Sequence, residues 1–208
     1  MARPTWAGLK AEAILELRNR SDIATRIEVW LREAYLEIAY GYRFYELEKS
    51  VNFTLSVGAS EITFVTIGAT DIKHTLSLKD ETNGRKLDPA PFRFLDRRII
   101  GSGIPTHYCR FGVAYLFDAR VVSAGIGYKL RYRKQITEPI FSGDNFPETP
   151  HEWDEVIRLF AVSRGFNALF EPELGASKRA IALDLTSRLP TDEFVETEDA
   201  YFGIEVRQ

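Results

Sequence analysis

Few residues in this chain have the types and spacings that chemistry requires. His107 and Cys109 stand two apart in a strand-like run, so their side chains point the same way and could share a metal ion or pair a thiol with a base. A tetrahedral site needs four ligands, and no CxxC, HExxH or neighbouring cluster supplies the other two. A Cys–His nucleophile also needs a third group to orient the base, which the spacing does not show. Gly101-Ser102-Gly103 resembles part of a phosphate loop or a nucleophile elbow. It lacks the GxGxxG spacing, the Lys-Ser/Thr ending and a long helix after it, so it reads as a turn. Carboxylates abound, but pairs for acid–base work are defined in space, so no pair is singled out. The expectation is a chain with no catalytic residues, no metal and no cofactor.

The last chemistry-bearing stretch is cationic. Tyr128, Leu130 and Tyr132 alternate with Lys129, Arg131 and Arg133, and Lys134 follows. A strand with one aromatic-aliphatic face and one charged face belongs to an antiparallel sheet lying over a core. Two readings of the charged face stay open: a solvated face whose lysines discourage aggregation, or a surface for acidic protein or passing DNA.

Composition narrows the class. The 208 residues suffice for one domain with a full core, at 45% hydrophobic and 27% charged, and the net charge of -3 argues against a generally DNA-binding surface. The single Cys109 allows no intrachain disulfide. No apolar run approaches the roughly 20 residues that span a bilayer, and residues 1–10 lack the apolar core of a signal peptide. Synthesis and folding in a cytoplasm are expected, with the sequons at Asn19 and Asn52 accidental.

The elements that must carry these residues follow from periodicity. Trp6, Leu9, Ala13 and Leu17 predict a first helix over 5–17; Ile23, Ile27, Trp30, Ala34 and Ile38 predict a second, ended by Gly41. From residue 51 the period falls to two. Strands are expected at 51–57, 61–67, 71–78, 113–117 and 128–133, with Asn83-Gly84 as a type I′ hairpin, Pro89 and Pro91 ending that pairing, and 113–117 forming a hairpin with 128–133. Residues 92–99 read as one or two helical turns. Thr149-Pro150-His151-Glu152 predicts a capping box for a helix carrying Trp153, Val156, Ile157 and Phe160, and Leu174, Ile181 and Leu185 predict the face of a last helix. The reading is one α+β domain: N-terminal helices 1–42, a β-rich middle 43–135 forming an antiparallel sandwich or small barrel, C-terminal helices 148–190 packed with the first pair, and an acidic tail 191–208. Trp30 and Trp153 should both be buried, each costing about 3–5 kcal/mol on truncation to alanine.

Several patterns together resemble the head-to-tail adaptor proteins of tailed bacteriophages. Leu15-x-Leu17-x-Asn19 with Ile27-x-x-Trp30-Leu31 is similar to that family's opening helices, and Phe44-x-x-Leu47 to the segment leading into its sheet. Gly103-x-Pro105-x-x-Tyr108-x-x-x-Gly112 with Tyr128-x-Leu130-x-Tyr132 resembles its central strands, and Pro147-x-x-Pro150-His151-x-Trp153-x-x-Val156-Ile157 the start of its C-terminal helix. The turn between the strands departs from the pattern, lacking a proline near Asp118-Ala119. The resemblance implies a virion protein of the neck without enzymatic activity. It implies a homo-oligomeric ring, a dodecamer, docked below the portal protein and above tail or nozzle proteins, with viral DNA passing transiently through it and no membrane involved. The alternative is a glycan- or other ligand-binding β-sandwich accessory protein, whose aromatic candidates are Tyr40, Tyr42, Phe44 and Tyr45.

The tail carries six acids against one arginine, so order there calls for a support outside the local sequence. Phe194, Tyr201, Phe202 and Ile204 are expected to anchor it in pockets while its acids meet basic residues: Lys129, Arg131 and Arg133 of an adjacent copy, or the portal.

Overall fold

The computed structural model describes residues 3–96 and 100–189. The tail anchors Phe194, Tyr201, Phe202 and Ile204 therefore lie outside the described residues. Among the described residues the fold is α+β, with six α-helices and a curled, mixed, seven-stranded sheet that makes a half-barrel. The described residues divide into two compact units, one built from residues 3–47 and 136–189, the other from residues 48–96 and 100–135.

The first unit is helical. Helix α1 (Trp6–Glu16) starts where the Thr5 hydroxyl accepts from the Gly8 amide, and it buries Trp6, Leu9 and Ala13. Helix α2 (Ala24–Gly41) buries Ile27, Leu31, Ala34, Tyr35 and Ile38. Its core stripe is centred on Leu31 and Tyr35, and Trp30 is only partly buried, against the expectation, because a stripe of five positions turns Trp30 to its margin.

Helix α5 (Asp154–Ala168) is central to this unit. Its flank holds Trp153, 1% exposed, with Tyr42 and Phe44 rings packed on it at 4.6 and 5.1 Å. The capping box does not form. Residues His151–Trp153 make a 3-10 turn, so Pro150 occupies the cap position and no side chain caps the helix. Arg3 does related work instead, gripping the buried Asp154 carboxylate with Nε and Nη2 at 2.8 Å and donating to the Thr149 carbonyl at 2.7 Å.

Helix α6 (Pro172–Arg188) begins at a proline suited to a helix's first turn. It does not bury the predicted face. Leu174 and Ile181 are exposed and Leu185 half-buried, while Gly175, Ala182 and Thr186 face the interior. Small residues let α6 approach α5 closely: the Ser163 hydroxyl donates to the Gly175 carbonyl at 2.7 Å. Ion pairs hold the outer surfaces together, with Arg158 meeting Glu12, Glu16 and Glu155, and Lys178 meeting Glu16.

The second unit is the sheet, ordered β1 (Glu48–Thr54), β9 (Gly127–Lys134), β3 (Ile72–Asp80), β4 (Arg85–Pro89), β6 (His107–Phe111), β7 (Ala114–Phe117), β2 (Glu61–Thr63). All of its neighbouring pairs are antiparallel except β4 with β6. Its core contains Phe53, Leu78, Leu87, Tyr108, Tyr115, Phe117, Tyr128 and Leu130.

Several local expectations give way here. The 61–67 run is not one strand. The Thr63 hydroxyl caps a one-turn helix α3 (Phe64–Ile67), and Gly68 ends it at φ 77°, the left-handed conformation that glycine adopts at no steric cost. Asn83-Gly84 is not a two-residue turn, since pairing ends at Asp80↔Arg85 and leaves four residues in the loop. The buried Asp80 carboxylate organises that loop by accepting from the Asn83 amide and side chain. The pairing of β4 with β3 does stop at Leu87, before Pro89, yet Pro89 itself stays in β4 and lies opposite Tyr108 of the parallel strand β6. Helix α4 (Phe92–Asp96) follows, and Gly101–Gly103 forms a short strand β5 paired in parallel with β8 (Ala119–Val121), not a turn. Finally, β7 and β9 are not a hairpin. β7 lies between β6 and β2, whereas β9 lies between β1 and β3.

Candidate functional site

The alternation read in β9 holds. Tyr128, Leu130 and Tyr132 are 0%, 0% and 3% exposed, whereas Lys129, Arg131 and Arg133 turn to the other face. Burial pushes the phenols of Tyr128 and Tyr132 up to about 12, helped by the charges of Asp80 and Asp71 respectively, so both stay neutral at physiological pH. On the charged face, Lys129 lies across from Asn52 and Lys79, Arg131 across from Ser50 and Ser77, and Arg133 across from Glu48 and His74. Lys134 is separated from these three by the pleat, falling on the side of Tyr132 opposite Ile72.

The face is net cationic. Glu48 reaches Arg131 at 3.1 Å, and Lys79 meets Glu81 at 3.2 Å. Two lysines directly opposite, Lys79 and Lys129, bring like charges together on this face. Burial, and then the nearby Arg133 charge, lower the Lys73 ammonium pKa, as crowding with a like charge at this end of β3 should. At the open edge, Lys49 pairs with Asp71 at 2.7 Å. Burial works against the Asp71 carboxylate, but hydrogen bonds from Lys49 and Tyr132 outweigh it and hold it below its usual range. Lys79 and Glu48 were not visible as members of this surface in the sequence, because only the pairing of β3 and β1 with β9 brings them there, whereas Lys49, across from Tyr132, falls on the other side.

The other candidates resolve into structural roles. Asp118 accepts from the backbone amides of Thr106 and His107 at 2.8 and 3.0 Å and from the Thr106 hydroxyl at 2.7 Å, and lies 3.1 Å from His107 Nδ1. Burial disfavours its charge, yet these donors win and its pKa is lowered. A His–Asp pair is the orienting half of a proton relay. Cys109, however, is buried, its thiol is pushed up by that burial, and Sγ points to the Arg110 carbonyl at 3.4 Å, which makes it a poor nucleophile. Among the described residues no group of three or more His, Cys, Asp or Glu is placed to hold a metal ion. Of the four aromatics considered for ligand binding, Tyr42 and Phe44 pack on Trp153, while Tyr40 and Tyr45 are exposed.

What the geometry offers is therefore a net cationic strand face and no assembled catalytic group among the described residues. Among known families, the model for the SU10 adaptor protein matches residues 4–200. The chain belongs to this family. It is a family of phage head-to-tail adaptors, so the adaptor has a structural role in the virion. No curated protein is significantly similar to it. No described helix of the adaptor is long and apolar enough to cross a membrane.

Proposed function

We propose that the adaptor assembles as a homo-oligomeric ring of twelve copies in the phage neck, docks below the portal protein, joins it to tail or nozzle proteins and encircles the passing DNA, without catalysing a reaction. The observation that carries this reading is the family match across residues 4–200. Two surface features support it. The cationic face of Lys129, Arg131 and Arg133 suits either an acidic partner surface or transient, sequence-independent contact with phosphates. Exposed apolar side chains on the helical unit, Leu174 and Ile181 on one face of α6 and Phe170 at 93% exposure, suit a protein interface. Phe170 also holds φ 61°, a left-handed conformation costly for an aromatic residue and tolerated where function uses the side chain.

The test is to mix the purified adaptor with the portal protein of its own phage, follow co-sedimentation and image the product by electron microscopy. A ring stacked on the portal is the expected result. An adaptor that stays monomeric and never co-sediments with the portal refutes the proposal.

A further inference from the structure

The C-terminal end of α5 closes in a Schellman motif. The Glu171 amide donates to the Phe166 carbonyl at 2.9 Å, and the Phe170 amide to the Asn167 carbonyl at 3.3 Å. Such a motif turns on one residue in the left-handed conformation, a place glycine usually takes because a Cβ is strained there. Here that residue is Phe170, at φ 61° and 93% exposed. Two costs meet at one position, a strained backbone and an aromatic ring left in water, and exposure this high leaves the ring almost no packing in its own chain. Leu174, in the first turn of α6, is exposed as well.

The other end of the same helix holds a socket of about 220 Å³, also within the helical unit. Phe44 and Trp153, both buried, make its floor, while Tyr45, which is exposed, stands with Pro150 at its rim. Rings pack on rings edge-on or offset with a gain beyond the area they bury, so an aromatic lining selects an aromatic occupant over an aliphatic one. The charged lining is two carboxylates, Glu46 and Glu152, to one guanidinium, Arg43, and Glu152 also lies 3.2 Å from His151 Nδ1. Beside Phe170 the charges are arranged the other way. Arg18 reaches Glu171 at 2.7 Å and keeps a side chain that is 67% exposed. A cation thus flanks the ring, and carboxylates flank the socket.

Helix α5 has 15 residues, so knob and socket are held about 22 Å apart along its axis and cannot meet within one chain. They can meet between chains. We infer that Phe170 of each copy seats in the socket of Phe44, Tyr45 and Trp153 on the neighbouring copy, with Arg18 carried towards Glu46 and Glu152. The occupant is a second copy because this chain supplies both halves of the fit, a lone ring beside a cation and a ring-lined hollow beside carboxylates. A contact that joins two different surfaces of one protein is heterologous, and its repetition about an axis closes a ring. The inference therefore rests on the ring proposed above and names the residues that would join its members. One phenylalanine buries about 150–250 Å², against about 1,200–2,000 Å² for a stable interface. Phe170 is accordingly an anchor that sets the register of a wider contact, and two free copies do not pair through it alone.

Cross-linking between chosen thiols tests this on the full-length adaptor assembled with the portal of its own phage. Glu46→Cys places a thiol beside the socket and Glu171→Cys one beside the knob, and both leave the rings in place. The native Cys109 is buried, so the added thiols react with a short bismaleimide in preference to it. Mixed Glu46→Cys and Glu171→Cys chains should give a covalent pair, neither variant alone should give one, and a chain carrying both should give a ladder of multimers. Adding Phe170→Ala to that chain should lower the cross-linked fraction by about tenfold, as the loss of an anchor residue does. Phe170 touches almost nothing in its own chain, so its truncation leaves the fold intact. Rings seen by electron microscopy that carry no link between positions 46 and 171, or a link indifferent to Phe170→Ala, overturn the inference and leave the ring standing. A Glu171→Cys chain that links to itself shows two knobs paired about a two-fold axis and overturns it too. A chain that neither forms rings on the portal nor cross-links overturns the ring and this contact together.

Discussion

Replacing Gly175 by alanine tests how the helical unit is packed. In an ordinary helix interior the change would stabilise, by about 1 kcal/mol, through helix propensity. Here a Cβ at residue 175 would lie 2.2 Å from Asn167 Oδ1 and 2.9 Å from the Ser163 carbonyl oxygen. The amide of Asn167 can swing aside, but the Ser163 carbonyl is backbone inside α5 and cannot. Helix α6 must therefore retreat, which costs about 1–3 kcal/mol in overpacking. Retreat also stretches the 2.7 Å bond from Ser163 Oγ to the Gly175 carbonyl, worth about 1 kcal/mol. The net expectation is a loss of about 1–3 kcal/mol. At about 2–4 °C per kcal/mol for a chain of this size, the melting temperature should fall by several degrees. Gly41→Ala is the control, since nothing lies within 4 Å of its added Cβ, and it should leave stability unchanged or slightly raised. Urea unfolding followed by far-ultraviolet circular dichroism reads both. A Gly175→Ala variant as stable as the unaltered chain, or more so, would show that α6 does not ride this close to α5.

Other expectations follow from single environments. Trp153→Ala should cost about 3–5 kcal/mol, whereas Trp30→Ala, at a half-buried site, should cost less than about 2 kcal/mol; equal losses in urea unfolding would contradict the packing. Phe170→Gly should stabilise the isolated chain by about 1 kcal/mol by relieving its left-handed backbone, while weakening co-sedimentation with the portal, and a destabilised variant would count against the strain. The Asp118 carboxyl has a folded pKa below its unfolded value of about 3.9, so its stabilisation is complete above that value and is lost as pH falls through the folded one. Asp118→Asn should flatten the acid limb of a stability-against-pH profile, and an unaltered limb would show that the Thr106 and His107 amides do not depend on the charge.

What the sequence showed and what it hid divide by the range of the forces involved. The helices of α1 and α2 and the two-faced strand β9 are written in repeats of a few residues, and they formed where the repeats stand, because burying one face is a local demand on spacing. The α3 turn was also local, signalled by Thr63 and Gly68, yet the β-branched Ile62, Val65 and Ile67 masked it. Which strand lies beside which was not written locally. β9 sits between strands that begin at residues 48 and 72, and nothing in residues 127–134 specifies them. The cationic surface inherits that limit: Lys129, Arg131 and Arg133 were legible, but Lys79 and Glu48 joined them only through cross-strand pairing. Helix α6 failed for a different reason. Hydrophobicity ranks Leu174 and Ile181 above Gly175 and Ala182, whereas close helix packing selects by size, so the small residues turned inward and the large ones were left for solvent or a partner. A surface of this kind is where an assembling protein departs from the rule that large apolar residues go inside, because its interior is complete only when its neighbours are in place.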